Sequence, residues 1–317
     1  MTPSSAVFLP LPPSSSFFVI RQTLTRHDEP TPTPAHHHHR QVVVIGGATL
    51  DLVTSPLSDH PFQLGTSMPG TVRQSWGGVG RNIAESFARV SGRRDAPLLL
   101  ATVGGDGFGR ALQQACVDLG MPVEGVVQDP LHRTAVYAAS LDDRGELVTA
   151  VADMDVMDAF TVDMLQRFEA SLLAAQLVVV DGNISPDTMR ELIRICDLGG
   201  SRDSRDSRDR SDSGNDGPNT GCSTIPPPPL EFQLGLWFEP TSVPKAVRAV
   251  EAGLLHCSTL TFLSPNVEEL RAMCGMVESG QTDENEIVAL ARRLIGRMRP
   301  GHSQKHIVVT RGDALGC

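Results

Sequence analysis

The sequence predicts an α/β fold built on a central, mostly parallel sheet with helices on both faces and a small β lid. Three observations carry that prediction. Short β-branched apolar runs recur along the chain, helical patterns separate most of them, and one pair of runs has no helix between. The strand-like runs are QVVVI (41–45), LLLATV (98–103), TAVYAAS (134–140), LVTAV (147–151), LVVVD (177–181), LGLWF (234–238), TLTFL (259–263) and HIVVT (306–310). Helical spacing occupies 79–90, 108–119, 161–173, 187–197, 244–255, 266–274 and 285–297. In the first of these, Val79, Ile83, Phe87 and Val90 fall on one face with Ala84 and Ala88. The exception is the pair TAVYAAS and LVTAV, joined by Leu141–Glu146 with Gly145 near the turn. It reads as a hairpin, either a lid or an edge extension of the main sheet. Lid strands are expected near 66–73 and 134–153.

The first 40 residues read as lying outside the fold. Residues 1–27 carry Arg21 and Arg26, no acidic residue, and many Ser, Thr and Pro. That composition fits either a disordered tail or a mitochondrial transit peptide. A cytoplasmic protein is the plain expectation, with mitochondrial targeting by residues 1–27 as the other. His36 to His39 read as low complexity rather than a metal site. Residues 199–229 read as a disordered insertion. They repeat Ser-Arg-Asp three times and end in Pro226 to Pro229, with too few apolar residues to offset the entropy of ordering. A domain over 41–317 is thus expected, with this stretch looped out at its surface.

With 317 residues, 40% of them hydrophobic, there is ample material for a core. A net charge of −10 argues against nucleic acid as a general partner. The six cysteines (116, 196, 222, 257, 274, 317) form no C-x-x-C, which argues against a zinc site and for a reduced compartment. No apolar run reaches the length of a membrane span.

The chemistry concentrates around glycines. Gly77, Gly78 and Gly80 open the helical pattern at 79–90. A dinucleotide fingerprint would need a third glycine at 83, where Ile83 stands, and no G-x-x-x-x-G-K-[ST] occurs. What remains is Asp51 just past a strand end, backbone amides at Gly77 and Gly78, and the carboxamide of Asn82. A carboxylate, close amides and a carboxamide supply the donors and acceptors that vicinal hydroxyls need. Asp51 could equally cap the next segment, and Asn82 could be an ordinary first-turn residue.

The ordered motifs resemble the PfkB, or ribokinase-like, family of sugar and nucleoside kinases over about 42–198 and 231–317. GGATLDL resembles the family's first strand with its sugar-binding Asp, here Asp51, and WGGVGRNIAESFARVSG its Gly-Gly signature, with Asn82 in the sugar-contacting place. LLATVGGDGFGRALQQACVDLGM resembles the next strand, turn and helix. SPNVEEL resembles the N-x-x-E element on Asn266 and Glu269, and VVTRG the nucleotide-site Thr-x-Gly on Thr310 and Gly312. Within the family, the lid end Val151–Val156, DGNIS (181–185) and WFEPTSVPKA (237–246) resemble the pseudouridine kinases.

The resemblance implies an ATP-dependent kinase that phosphorylates a primary hydroxyl, that of pseudouridine if the finer match holds. Asp51, Gly77, Gly78 and Asn82 would hold the sugar, and Asp153 and Asp155 on the lid would touch the base or face solvent. Asn183, Thr310 and Gly312 would serve the ATP. Lys245 would steady phosphate or be a solvated helix residue. Asn266 and Glu269 would organise Mg²⁺ through water. The partners implied are a small nucleoside or sugar, and a second copy through the lid, with neither nucleic acid nor membrane. The family's general base lies in a Gly-Ala-Gly-Asp stretch that does not occur before Cys317. The expectation is therefore that residues 1–317 do not turn over, and that Ile307, Val308 and Val309 are partly exposed. A non-catalytic nucleoside- or sugar-binding remnant is the alternative, and a Rossmann oxidoreductase a weaker one.

Overall fold

A computed structural model describes residues 17–21, 42–57, 60, 62–92, 95–201, 234–276, 283–301 and 304–311. Twelve strands and eight α-helices are found among them. The strands are β1 (Phe17–Arg21), β2 (Val42–Ile45), β3 (Thr49–Pro56), β4 (Gly70–Gly77), β5 (Leu98–Gly104), β6 (Val126–Asp129), β7 (Val136–Leu141), β8 (Leu147–Asp153), β9 (Leu177–Asp181), β10 (Gly235–Glu239), β11 (Leu260–Leu263) and β12 (His306–Thr310). The helices are α1 (Val79–Ser91), α2 (Gly107–Asp118), α3 (Val162–Arg167), α4 (Glu169–Ala174), α5 (Pro186–Ser201), α6 (Val243–Glu251), α7 (Val267–Met273) and α8 (Glu284–Arg297).

The large sheet runs β1-β12-β11-β10-β9-β2-β5-β6, parallel throughout except where β1 joins the β12 edge antiparallel. Its central strands are buried on both sides, which is why they read as continuous apolar runs. Val43, Ile45, Val178, Val180, Leu236 and Phe238 pack with residues of α5, α6, α7 and α8 on one face. Val44, Leu99, Ala101, Val103 and Val179 pack against Ala84, Ala88, Leu112 and Cys116 of α1 and α2 on the other. From β2 the chain winds one way to β5 and β6. From β9 it winds the other way through β10, β11 and β12. The winding therefore reverses between β2 and β9, and a crevice opens at the carboxyl ends of those two strands. The second sheet runs β4-β3-β7-β8, with the expected hairpin as β7 and β8.

Several sequence expectations are corrected. Phe17–Arg21 does not lie outside the fold: its backbone pairs antiparallel with the open edge of β12. The remaining residues of 1–40 lie outside the described residues. The lid strand near 66–73 is Gly70–Gly77, and the lid gains β3, a strand hidden inside the GGATLDL motif. The pattern at 161–173 is two helices broken at Phe168. The insertion starts later than 199, since α5 continues to Ser201, and the rest of 199–229 is outside the described residues. Ile307 and Val309 are fully buried with α7 and α8 packed nearby; only Val308 is half-exposed.

The packing face of α1 also differs from its apolar count. Gly80, Arg81, Ala84 and Ala88 are the buried positions, whereas Val90 is 90% exposed. Small residues let the helix approach the backbone of β2: a Cβ on Gly80 would lie 2.7 Å from the Gly46 Cα. The bulkier Ile83 and Phe87 are turned to the flank and only partly buried.

Gly80→Ala should accordingly cost about 1–3 kcal/mol, because the obstructing atoms are backbone and cannot swing away. Gly107→Ala, with nothing within 4 Å of its added methyl, should be neutral or stabilising by up to about 1 kcal/mol. Urea denaturation of both variants checks this; equal midpoints would refute the close approach.

Candidate functional site

The crevice is organised by Asp181, the last residue of β9 and fully buried. Its Oδ2 accepts hydrogen bonds from the Gly47 and Gly80 amides, each at 2.9 Å, and from Asn183 Nδ2 at 2.8 Å. Its Oδ1 accepts from the Asn183 amide at 2.9 Å. Burial pushes the carboxyl above the usual carboxylate range, and the four N–H donors pull it back in part. The turn after β2, the start of α1 and the turn after β9 are thereby tied to one side chain. A Cβ on Gly46 would lie 2.3 Å from that carboxylate, so only glycine fits there.

Gly78 is the N-cap of α1, at φ 90°, where glycine is favoured. Gly77 is buried, and an added Cβ there would meet Asp51 Oδ2 at 2.1 Å. Asp51 is half-buried on β3, with Thr49 Oγ1 donating to its Oδ1 at 3.0 Å. Arg81, buried beneath them, donates to the Gly77 carbonyl at 3.0 Å, to the Trp76 carbonyl at 2.6 Å and to Asn82 Oδ1 at 2.7 Å. Asp51, Gly77, Gly78 and Asn82 are thus joined at the seam between the two sheets. Asp153 is not brought to them. It pairs with Val136, in the row of Leu50, while Asp51 lies in the next row opposite Tyr137. Adjacent rows point to opposite faces. Asp153 instead meets Arg133 at 3.4 Å, and Asp155 is exposed.

On the far side of Asp181, Lys245 of α6 is half-buried and donates to Asn183 Oδ1 at 2.5 Å. It is not a freely solvated helix residue, and burial lowers its pKa. Asn183 and Lys245 are therefore in contact, and Arg248 donates to the Gly182 carbonyl at 3.1 Å.

Asn266 and Glu269 form a reciprocal cap on α7. Asn266 Oδ1 accepts from the Glu269 amide and Glu269 Oε2 from the Asn266 amide, both at 2.8 Å. The N-x-x-E spacing is thus also a capping box. Glu269 is 4% exposed, and burial raises its pKa. Among the described residues, no group of three His, Cys, Asp or Glu could hold a metal ion. Thr310 ends β12, and its amide donates to the Pro265 carbonyl just before this cap. Gly312 lies outside the described residues.

The sequence reading passed over two further residues. Glu239, the last residue of β10, lines a cleft of about 360 Å³ with Val79, Asn82, Ile83, Ser86 and Phe87. Its Oε2 accepts from the Ser264 hydroxyl, which itself accepts from Trp237 Nε1 at 2.7 Å. Burial, together with the nearby charges of Glu269 and Asp181, pushes the Glu239 carboxyl up to about 7. A carboxylate closing an apolar strand, in WFEP as in LVVVD, is the signal that could have marked both Glu239 and Asp181. The second residue is Thr241, at φ 66° with its Oγ1 buried and unpartnered. A β-branched residue there costs on the order of 1–3 kcal/mol, a strain of the kind that collects at functional turns. No sequence signal announces it.

A model of the pfkB family carbohydrate kinases matches residues 39–215. Pseudouridine kinase of Arabidopsis thaliana is 27% identical over 250 residues, covering 77% of this chain and 54% of that protein. Pseudouridine kinase of Escherichia coli K12 is 32% identical over 145 residues, covering 46% and 45%. The chain spans about half the length of these curated relatives. Two solved structures share the fold. A carbohydrate kinase from Agrobacterium tumefaciens superposes with a TM-score of 0.60 at 24% identity, covering 86% of this chain and 70% of that one. Arabidopsis thaliana ribokinase complexed with ribose and ATP superposes with a TM-score of 0.61 at 16% identity, covering 87% and 73%.

Two outcomes test the electrostatics. Asp181→Asn turns an NH₂ group toward amide donors, so it should cost about 2–4 kcal/mol. A loss below about 1 kcal/mol by chemical denaturation would contradict the buried knot. Glu239 binds its proton more tightly folded than unfolded. Stability should therefore fall as pH rises from about 4.5 to about 7. The upper bound is about 3 kcal/mol, at about 1.4 kcal/mol per pH unit. Glu239→Gln should flatten that slope in thermal melts, and an unchanged slope would show that another group titrates.

Proposed function

The chain belongs to the pfkB family of carbohydrate kinases, and from that premise we propose that it is an ATP-dependent kinase whose phosphate acceptor is pseudouridine. The observation that carries the reading is the Asp51–Gly77–Gly78–Asn82 seam, set beside the winding reversal where α/β sheets take their ligands. The family supplies the reaction class, sugar or nucleoside phosphorylation with ATP. The choice of pseudouridine leans on the two relatives that bear that name.

In this reading Asp51 accepts hydrogen bonds from sugar hydroxyls, its position fixed by Thr49 and by the lack of a side chain on Gly77. Asn82 offers its carboxamide, steadied by Arg81. Asp153, set on the other face of the lid sheet and paired with Arg133, lies outside this pocket. Lys245 and Asn183 form a cationic, hydrogen-bonded pair suited to phosphate, and Thr310 with Gly312 serves the nucleotide.

We also propose Mg²⁺ as the companion of ATP. Asn266 and Glu269 present hard oxygen atoms, the donors this ion takes. The cap engages the single side-chain oxygen of Asn266 and one of the two of Glu269, so they suit an ion that keeps its own waters better than one bound directly. When bound, the ion would offset charge on the transferring phosphoryl group.

Transfer of label from γ-labelled ATP to pseudouridine, ribose or fructose tests the reading, with pseudouridine binding measured alongside by calorimetry. Asp51→Ala should weaken binding by about 1.5–3 kcal/mol, the scale for hydrogen bonds to a charged group. Binding that ignores this substitution would refute the proposed pocket. Binding without transfer agrees with the expectation that residues 1–317 do not turn over, and it fits the non-catalytic nucleoside-binding reading as well.

A further inference from the structure

The cleft beside α1 has one titratable residue in its lining, Glu239, and one carboxamide, Asn82. The other walls are Val79, Ile83 and Phe87, with the Ser86 hydroxyl between them. Each polar group is half engaged and thereby oriented. Arg81 Nη2 takes Asn82 Oδ1 at 2.7 Å, which leaves Nδ2 as the free donor. Ser264, held by Trp237, donates to Glu239 Oε2, and the Thr241 amide also donates to this carboxylate, so the protein fixes its orientation while lone pairs remain to accept from a ligand. A hydroxyl group donates once and accepts, so a fixed N–H and a fixed carboxylate oxygen on one cleft are its complement.

We infer that Glu239 is a specificity-determining, substrate-contacting residue: together with Asn82 Nδ2 it holds one hydroxyl of the acceptor, whose carbon skeleton lies against Val79, Ile83 and Phe87. The ligand class follows from the lining. It is a neutral polyhydroxylated molecule with an apolar or planar portion, because a carboxylate repels a phosphorylated one and an apolar flank leaves a bare polyol under-packed. Recognition should therefore favour the unphosphorylated acceptor over its product. This inference rests on the sugar or nucleoside kinase reading and adds to it a residue from β10.

The charges around Glu239 make the contact pH-dependent. Asp181 from β9 and Glu269 from α7 add negative charge, Ser264 donates from the end of β11, and α1 offers only the neutral Asn82 and Ser86. Lys245 and Arg248 of α6 are engaged at Asn183 and Gly182 instead. With its carboxyl pushed up to about 7, Glu239 accepts a charge-assisted bond above that pH and only the weaker bond of a neutral carboxyl below it.

Calorimetric titration of the full chain with pseudouridine and with ribose, at about pH 6 and about pH 8, tests the inference. The wild type should bind more tightly at the higher pH, by up to about tenfold, the limit set by the ionised fraction of a group of pKa about 7. Glu239→Gln, of the same shape, should bind about tenfold or more weakly at the higher pH and show no pH dependence, with circular dichroism confirming the fold. Affinity lost in Asp51→Ala but unchanged in Glu239→Gln would overturn the role of Glu239 and leave the kinase reading standing. A wild type that binds neither probe would overturn both.

Discussion

The Asp181 carboxylate holds the two halves of the site in register. It takes four N–H groups, two of them from glycines in segments far away in sequence. A buried carboxylate is expensive unless its lone pairs are filled, and here the filling groups belong to the turns that shape the crevice. The electrostatic constraint and the functional geometry are therefore one arrangement. Moving any of the three turns would leave charge unsatisfied in the core.

That knot explains where glycines are required. Gly46 leaves room for the carboxylate, Gly80 lets α1 lie against β2, and Gly77 yields its volume to Asp51. Gly78 must turn through a positive φ while pressed on the Gly47 carbonyl, 2.3 Å from where a Cβ would stand. Arg81 then fixes this backbone from below through the Trp76 and Gly77 carbonyls. The seam is thus bounded by close backbone approaches and held by a buried side chain beneath it.

Much of this was legible because buried parallel strands write themselves as apolar runs. LLLATV and LVVVD are β5 and β9 almost to the residue. Where packing rather than hydrophobicity decides, the sequence misleads. Gly80 and Ala84 face the sheet while Val90 is left in solvent, because closeness to a backbone outweighs apolar area there. In GGATLDL, Gly46 and Gly47 hide the change from one sheet to the other, so β3 went unseen. The N-x-x-E spacing carries two meanings, a helix cap and an oxygen-rich site, and only coordinates reveal that the cap is made. Thr241 and the Glu239 partnership with Ser264 depend on tertiary contacts that no local pattern encodes.

The separation of the partners in the Asp181 knot has a kinetic side. Gly47 and Gly80 precede Asp181 by 134 and 101 residues. At a synthesis rate of about 5–20 residues per second, the ribosome needs roughly 5–20 s to reach the carboxylate after placing Gly80. Throughout that interval the glycine turns have no anchor, however well the first strands have collapsed. The seam between the two sheets is therefore a late event in the life of each nascent chain, and contacts of such long sequence separation are slow to close even once all the parts exist.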